Sequence, residues 1–183
     1  IVSYTKLLVQ HGTYIAEQRS ALISSLAPFA KELQLDVSGK DEILSLNYVR
    51  SGNEDLELAY EEKKESESKR RITLVGPHRD DLELSINSLL ASKFASEGQQ
   101  RTIALSLKIA QSHVLRESKG SNPILLIDDI FGELDSSRRN RLLSSFPEGA
   151  QKIITTTSLD WASDGCLEGS QCYSLNKGLL DQL

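Results

Sequence analysis

The sequence contains no methionine, and among its 183 residues it has two cysteines, four prolines and one tryptophan. Its longest purely aliphatic run, at residues 124–127, is far shorter than the roughly 20 residues of a membrane-spanning helix. Because a complete translation product begins with methionine, we expect a fragment, and a C-terminal one. Cys166 and Cys172 show no metal-ligand spacing. They predict free thiols in a cytoplasmic protein, with a disulfide or redox pair as the alternative.

A phosphate-binding loop of the form G-x-x-x-x-G-K-[ST] is also missing from the sequence. The net charge of −5 does not suggest a general nucleic-acid binder. Any contact with DNA must therefore come from a local patch that overrides the overall field. The hydrophobic content of 39% and charged content of 26% are those of an ordinary globular protein.

Hydrophobic periodicity and composition predict a sequence of helices and strands. The predicted helices cover residues 1–35, 54–70, 97–117 and 136–146, and the predicted strands cover 43–49, 72–75, 82–86, 124–128, 152–157 and 172–175. From residue 120 onward, strands alternate with helical or loop segments, which predicts an α/β layer with parallel strands. We divide the chain into a helical lobe at 1–70 and an α/β part at 71–183. The first helix has an apolar face at Leu7, Leu8, Ile15, Leu22, Leu26, Phe29 and Leu33.

Two adjacent aspartates, Asp128 and Asp129, end the apolar strand at 124–128. Ligands of open α/β sheets bind at the carboxyl ends of the strands. Adjacent carboxylates repel each other unless a cation lies between them or one is protonated. We therefore expect Asp128 to contact Mg²⁺ and Asp129 to polarise an attacking water. Capping of the next helix is the alternative, and the Glu133-Leu134-Asp135 motif that follows favours the catalytic interpretation.

A second candidate site lies at the start of the helix predicted at 97–117. Ser96 can cap this helix, and we expect the backbone amides of Glu97, Gly98 and Gln99 to be free at its N-terminus. Free amides and the helix dipole both favour a bound anion. Gly98 would let a phosphate approach the backbone closely, because glycine has no Cβ. Plain N-capping without a ligand is the alternative.

Three linked motifs, at residues 76–82, 94–102 and 126–135, resemble the RecF family of bacterial recombinational-repair ATPases, which are related to the SMC and Rad50 proteins. The resemblance covers essentially the whole chain. It implies an α/β fold, the C-terminal part of an ABC-type ATPase head with a smaller helical lobe. The last two motifs then correspond to the signature motif and to the Walker B and D-loop motifs.

The resemblance also implies roles for particular residues. Ser96 and Gly98 would contact the γ-phosphate held by the other protomer of a dimer, supported by Gln99. Asp128 would be the Mg²⁺ ligand, and Asp129 would activate water.

Two further positions match the family at the dimer interface and the nucleotide. Asp135 matches the D-loop aspartate, which lies across the dimer interface. Thr157 stands where ABC transporters place a switch histidine, and its hydroxyl can hydrogen-bond a phosphate.

The family also implies ligands and partners. These are ATP with Mg²⁺, an ATP-dependent homodimer, gapped or junction DNA, and the RecO and RecR proteins, with roles in recombinational repair, replication-fork maintenance and the SOS response. Arg79, Arg138 and Arg139 are candidate DNA or interface residues, with surface or structural pairing as the alternative. A nucleotide-binding domain of a membrane transporter and a non-catalytic interaction module are the alternative functions. Because the Walker A loop is absent, we expect no ATP hydrolysis by these 183 residues alone.

Overall fold

The computed structural model describes residues 2–39, 41–131, 134–159, 162 and 169–182. The helices are α1 (Val2–Ser38), α2 (Leu56–Arg70), α3 (Ala91–Phe94), α4 (Glu97–Lys119) and α5 (Ser136–Ser144). The strands are β1 (Leu44–Val49), β2 (Asp81–Ile86), β3 (Leu89–Leu90), β4 (Leu125–Asp128), β5 (Lys152–Thr155), β6 (Tyr173–Asn176) and β7 (Leu179–Gln182).

The main core lies where α1 packs against α4 and against the β1-β2-β3 sheet. In this antiparallel sheet Leu44 of β1 faces Ile86 of β2 in register, and both side chains are buried. Asn87 and Ser88 connect β2 to β3 with positive φ angles of 49° and 67°, as a tight hairpin turn requires. The other buried members of the core are Ala30, Leu33, Val37, Ala91, Ile103, Ile109, Ala110, Ile127, Phe131 and Leu142.

A smaller cluster lies beside the first half of α1 and consists of Leu56, Ala59 and Val75, with Tyr60 packed against them. Helix α1 passes close to this cluster at Gly12. A Cβ on Gly12 would stand only 2.6 Å from Cδ2 of Leu56, so the Leu56 side chain would have to shift to make room for it.

Most of the predicted elements are confirmed, but the strand predicted at 72–75 is wrong. These residues form a loop that folds over α2. The Leu74 amide donates to Glu67 Oε1 (2.7 Å), and Arg79 Nε donates to the Thr73 carbonyl (2.9 Å). Gly76 then turns the chain at a φ of 117°. The side chains of Glu67 and Arg79 thus bind the Leu74 amide and the Thr73 carbonyl, which are backbone groups that a neighbouring strand would otherwise bind.

The parallel layer predicted after residue 120 is confirmed for β4 and β5, which pair in parallel from Leu125↔Lys152 to Asp128↔Thr155. The strand predicted at 172–175 is present as β6, but it pairs antiparallel with β7, which the sequence did not predict. Within the described ranges, this hairpin forms a two-stranded sheet of its own.

Only the second half of the predicted apolar face of α1 packs against the main core. Leu26, Phe29 and Leu33 contact it. The earlier members of the face, Leu7, Leu8, Ile15 and Leu22, are exposed.

The predicted boundary near residue 70 stays a prediction. The β1–β2 ladder and the main core both contain residues from either side of it. None of the helices within the described ranges combines the length and apolar character of a membrane span.

Candidate functional site

The start of α4 is closed by a reciprocal capping box. Ser96 has extended backbone angles (φ −64°, ψ 160°), and its hydroxyl accepts from the Gln99 amide (3.3 Å). The Ser96 amide in turn donates to Gln99 Oε1 (2.9 Å). First-turn amides of a helix have no acceptor within the helix. Within the described residues the amides of Glu97 and Gly98 stay available at the positive end of the α4 dipole, where an anion is favoured. The prediction of a free Gln99 amide is wrong, because the Ser96 hydroxyl accepts from it.

Gly98 has room for a Cβ without a steric clash. A Cβ at this position would lie 3.8 Å from Arg138 Nη1 and 4.0 Å from Ser96 Oγ, which are ordinary van der Waals distances. Packing within the chain therefore does not require a glycine here. Its absent side chain leaves room for a ligand to approach the backbone.

Asp128 and Asp129 stand at the carboxyl end of β4, and both are exposed. The Thr155 hydroxyl, opposite on β5, donates to Asp128 Oδ1. The Asp129 amide donates to the Thr155 carbonyl (3.1 Å), and Asp129 Oδ1 accepts from the Thr157 amide (3.4 Å). The structure therefore brings together three of the predicted residues, Asp128, Asp129 and Thr157, at one edge of the β4–β5 sheet.

Asp129 has a left-handed backbone conformation, with a φ of 46°. Aspartate and asparagine tolerate this region better than most residues with a side chain. Strand β4 ends at Asp128, and the chain leaves the sheet at Asp129. The carboxylates of Asp128 and Asp129 therefore need not point to opposite faces of the sheet, as successive side chains of a strand do.

The carboxylates fit a Mg²⁺ ion that is bound together with a phosphate ligand. No group of three or more His, Cys, Asp or Glu side chains is placed for a metal ion within the described ranges. Mg²⁺ in nucleotide sites commonly takes only one or two carboxylates and fills its other positions with phosphate oxygens and water. The exposed Asp128 carboxylate, oriented by Thr155, can supply one such oxygen.

Asp135 caps the N-terminus of α5 and pairs with Arg138. Its Oδ1 accepts from the Arg138 amide (2.9 Å), and its Oδ2 lies 3.5 Å from Arg138 Nε. The Arg138 amide hydrogen bond, together with the nearby guanidinium charge, lowers the pKa of Asp135 below its ordinary value. Because Arg138 also lies beside Gly98, it connects Asp135 to the start of α4. Glu133 lies outside the described residues.

The other two candidate arginines bind backbone carbonyls of the chain itself. Arg139 donates to the carbonyls of Phe131 (3.1 Å) and Leu134 (2.7 Å), and so binds both of these residues to α5. Arg79 is exposed and donates to Thr73, as described above. Their roles at DNA or at an interface stay predictions.

Asp80, next to Arg79, has partners that the sequence did not predict. It accepts from the amide and hydroxyl of Ser51 (both 2.9 Å) and from the hydroxyl of Tyr48. Burial and the hydrogen bond to Asp80 raise the pKa of Tyr48. The Asp80 carboxylate therefore binds β1 and the turn after it, while the neighbouring Arg79 donates to the Thr73 carbonyl.

A buried polar network behind the capping box was missed by the sequence interpretation. Glu42 accepts from Gln99 Nε2 (3.2 Å) and from Gln34 Nε2 (3.0 Å), and Gln34 Oε1 accepts from Ser106 Oγ (3.1 Å). Glu42 lies between α1 and β1, and no sequence motif marked it. Thr155 was also missed, because it meets Asp128 only through the parallel register of β4 and β5.

Comparisons with known proteins give one consistent set of relatives. No family model matches the chain. The chain is 36% identical over 190 residues to a protein named DNA replication and repair protein RecF from Shouchella clausii, covering 98% of the chain and 51% of that protein. It is 37% identical over 181 residues to the protein of the same name from Nostoc sp., covering 93% and 48%. It therefore spans about half the length of the curated relatives it matches.

Solved structures agree with the sequence relatives. The chain superposes on a structure of the recombination mediator protein RecF with ATP in the RecFOR pathway, with a TM-score of 0.79 and 29% identity over 98% of the chain and 49% of that protein. A second structure of the recombination mediator protein RecF, with ATPγS, gives a TM-score of 0.74 and 30% identity over 96% of the chain and 48% of that protein. These matches confirm the predicted α/β fold of an ABC-type ATPase.

Proposed function

This chain belongs to the RecF family, and from that premise we propose that it carries the signature and Walker B side of an ATP site in a DNA replication and repair protein. The Walker A loop is then supplied by sequence outside these 183 residues. We call the whole family member that contains both parts the parent protein. The names of the relatives support this function over that of a membrane transporter domain.

The start of α4 is the proposed γ-phosphate site. In an ATP-bound homodimer the free amides at Glu97 and Gly98, with the Ser96 hydroxyl, would bind the γ-phosphate of the nucleotide held by the other protomer. The geometry of the Ser96 cap supports this proposal, because the Glu97 and Gly98 amides lie at the positive end of the α4 dipole.

The β4 edge is the proposed site of hydrolysis, and its paired carboxylates are the observation that carries the proposal. Asp128, oriented by Thr155, would provide an oxygen to Mg²⁺, which neutralises phosphate charge when bound. Asp129 would orient the attacking water and accept its proton. Thr157, whose amide already contacts Asp129, would place its hydroxyl near the phosphate.

The remaining proposed contacts lie at the dimer interface and with partners. Arg138, which pairs with Asp135, lies beside Gly98, and both Asp135 and Arg138 would meet the other protomer when the nucleotide is enclosed. Binding of ATP would hold the dimer together, and hydrolysis would release it. Junction DNA and the RecO and RecR proteins are the proposed partners, and Arg79 and Arg139 are candidate contacts.

ATP hydrolysis tests this function. The 183-residue chain alone is expected to show no turnover above background, because it has no Walker A loop. The parent protein is expected to hydrolyse ATP with Mg²⁺, and Asp128→Ala is expected to remove that activity. The measurement is phosphate release by the 183-residue chain, by the parent protein and by its Asp128→Ala variant. Turnover by the isolated chain that Asp128→Ala abolishes would contradict the divided site, and an active Asp128→Ala parent would contradict the role of Asp128.

Gly98→Ala is expected to separate stability from function. Alanine has a higher helix propensity than glycine, so the free energy of unfolding should increase. Because Gly98 is the second residue of α4, the increase should be smaller than the about 0.8–1 kcal/mol of a helix-interior position. The new Cβ occupies the approach to the backbone, and ATP-dependent dimerisation of the parent should weaken about tenfold, the equivalent of one lost hydrogen bond to a charged group. Analytical ultracentrifugation with ATPγS and urea denaturation measure the two effects.

Gly12→Ala is the matched control for this experiment. Its Cβ would meet Leu56 at 2.6 Å, far from the capping box in sequence. It should therefore lower stability and leave ATP-dependent dimerisation intact. Unchanged dimerisation in Gly98→Ala would show that no phosphate approaches this turn.

A further inference from the structure

We propose that Glu42 is a positioning residue for the signature motif. It would hold the Gln99 amide, and through it the first turn of α4, in the orientation that binds a γ-phosphate. This inference rests on the proposed function of the α4 start. Nothing in the sequence motifs assigns a role to Glu42, which precedes β1 and lies 57 residues before Gln99.

The geometry of the network carries the inference. The two oxygens of Glu42 each accept from one side-chain amide, Oε1 from Gln99 (3.2 Å) and Oε2 from Gln34 (3.0 Å). Glu42 is 7% exposed and Gln34 is fully buried. At the far end Ser106, also fully buried, donates to Gln34. The network thus connects the interior of α1 and α4 to the surface turn at Ser96.

Glu42 determines which way the Gln99 amide faces. Gln99 uses its oxygen to accept from the Ser96 amide and its nitrogen to donate to Glu42. If the amide rotated by half a turn, its NH₂ group would face the Ser96 N–H, and two donors would oppose each other. A carboxylate accepts at both oxygens, so Glu42 stabilises only the orientation that closes the capping box.

Burial of a carboxylate beside neutral partners lowers the stability of the fold, because burial removes its hydration. Packing alone therefore does not explain a glutamate at this position. The partners of Glu42 within the described ranges are side-chain amides. Its contact with the first turn of α4 places the negative charge near the positive end of the helix dipole, which offsets part of that cost. The negative charge of Glu42 therefore lies where it can hold the first turn of α4 in place.

The consequence for the proposed function is specific to the assembled dimer. The α4 turn would contact the γ-phosphate only when two protomers enclose the nucleotide. Loss of the Glu42 contact should lower kcat and ATP-dependent dimerisation. It should leave the affinity of the Walker A part for nucleotide unchanged.

Glu42→Gln in the parent protein is the test. The substitution is isosteric, but a carboxamide cannot accept from both neighbouring amides. We expect kcat to fall about tenfold, as for a misplaced contact group, with an unchanged Kd for ADP. Amide hydrogen exchange at the first turn of α4 should accelerate. A wild-type kcat in a folded Glu42→Gln protein would overturn the inference. If this variant does not fold, Glu42→Asp, which keeps the charge but shortens the reach, gives the same test.

Ser106→Ala is the matched control, because it removes the hydrogen bond at the buried end of the network and does not touch Gln99. It should lower the unfolding midpoint and leave kcat unchanged. An equal fall in kcat would mean that the network is only structural, and would also overturn the inference. Asp128→Ala separates the two failures. If it removes hydrolysis while Glu42→Gln does not impair it, only the positioning role fails; if Asp128→Ala is active, the proposed function fails.

Discussion

Asp129→Asn is expected to lower ATP turnover by the parent protein about a thousandfold, because an amide cannot accept the proton of the attacking water. The substitution should leave the fold intact. Asp129 has a φ of 46°, and asparagine adopts this left-handed conformation as readily as aspartate. The amide oxygen can still accept from the Thr157 backbone, as Asp129 Oδ1 does now. Single-turnover phosphate release measures the effect.

A second readout distinguishes loss of chemistry from loss of binding in Asp129→Asn. Since Asp128 is unchanged, ATP should still bind and the ATP-dependent dimer should persist longer than in the unchanged protein. Asp36→Asn is the control, because it removes one negative charge at an exposed position of α1. Turnover within a few fold of the unchanged protein in Asp129→Asn would assign water activation to another group.

Phe131→Ala is expected to lower the free energy of unfolding by about 3–5 kcal/mol, as for other fully buried aromatic residues. Phe131 lies between the β4 aspartates and Asp135, and it is 0% exposed within the main core. Removing its ring leaves a cavity in the main core. The Phe131 carbonyl, which accepts from Arg139, is unchanged by the substitution. Urea denaturation of the 183-residue chain, followed by circular dichroism, measures the loss.

Phe94→Ala provides the matched control for Phe131→Ala. Phe94 is 65% exposed, so the same chemical change should alter the free energy of unfolding by no more than about 0.5 kcal/mol. If both variants lost stability equally, Phe131 would not be the core residue that its burial indicates.

Local patterns predicted most of the helices and strands. The helix at 97–117 was readable from its apolar spacing and its serine cap, and the structure extends it only to Lys119. The strand at 72–75 was wrong because short apolar segments do not reveal whether a pairing partner exists. In the structure Glu67 and Arg79 bind its backbone instead. The β6–β7 hairpin was missed in part because the same pattern fits a parallel or an antiparallel strand.

The candidate site follows a similar division. The serine cap at Ser96 and the strand-end position of Asp128 depend on neighbours within a few residues, and these were predicted from the sequence. The reciprocal bonds between Ser96 and Gln99 were not predicted. The contact from Thr155 to Asp128 spans 27 residues, and the contact from Ser106 to Gln34 spans 72. Contacts of that separation leave no local pattern.

Residue order along the chain was therefore enough to establish the α/β fold, the family and the candidate chemical groups, because caps, periodicity and strand ends act over short distances. It could not establish what holds those groups in place. Glu42 reaches Gln99, and Arg138 lies beside Gly98, only after α1, α4 and α5 have packed together. The physical reason is that a side chain's partners across a core depend on the packing of whole elements, and not on the residues beside it in the sequence.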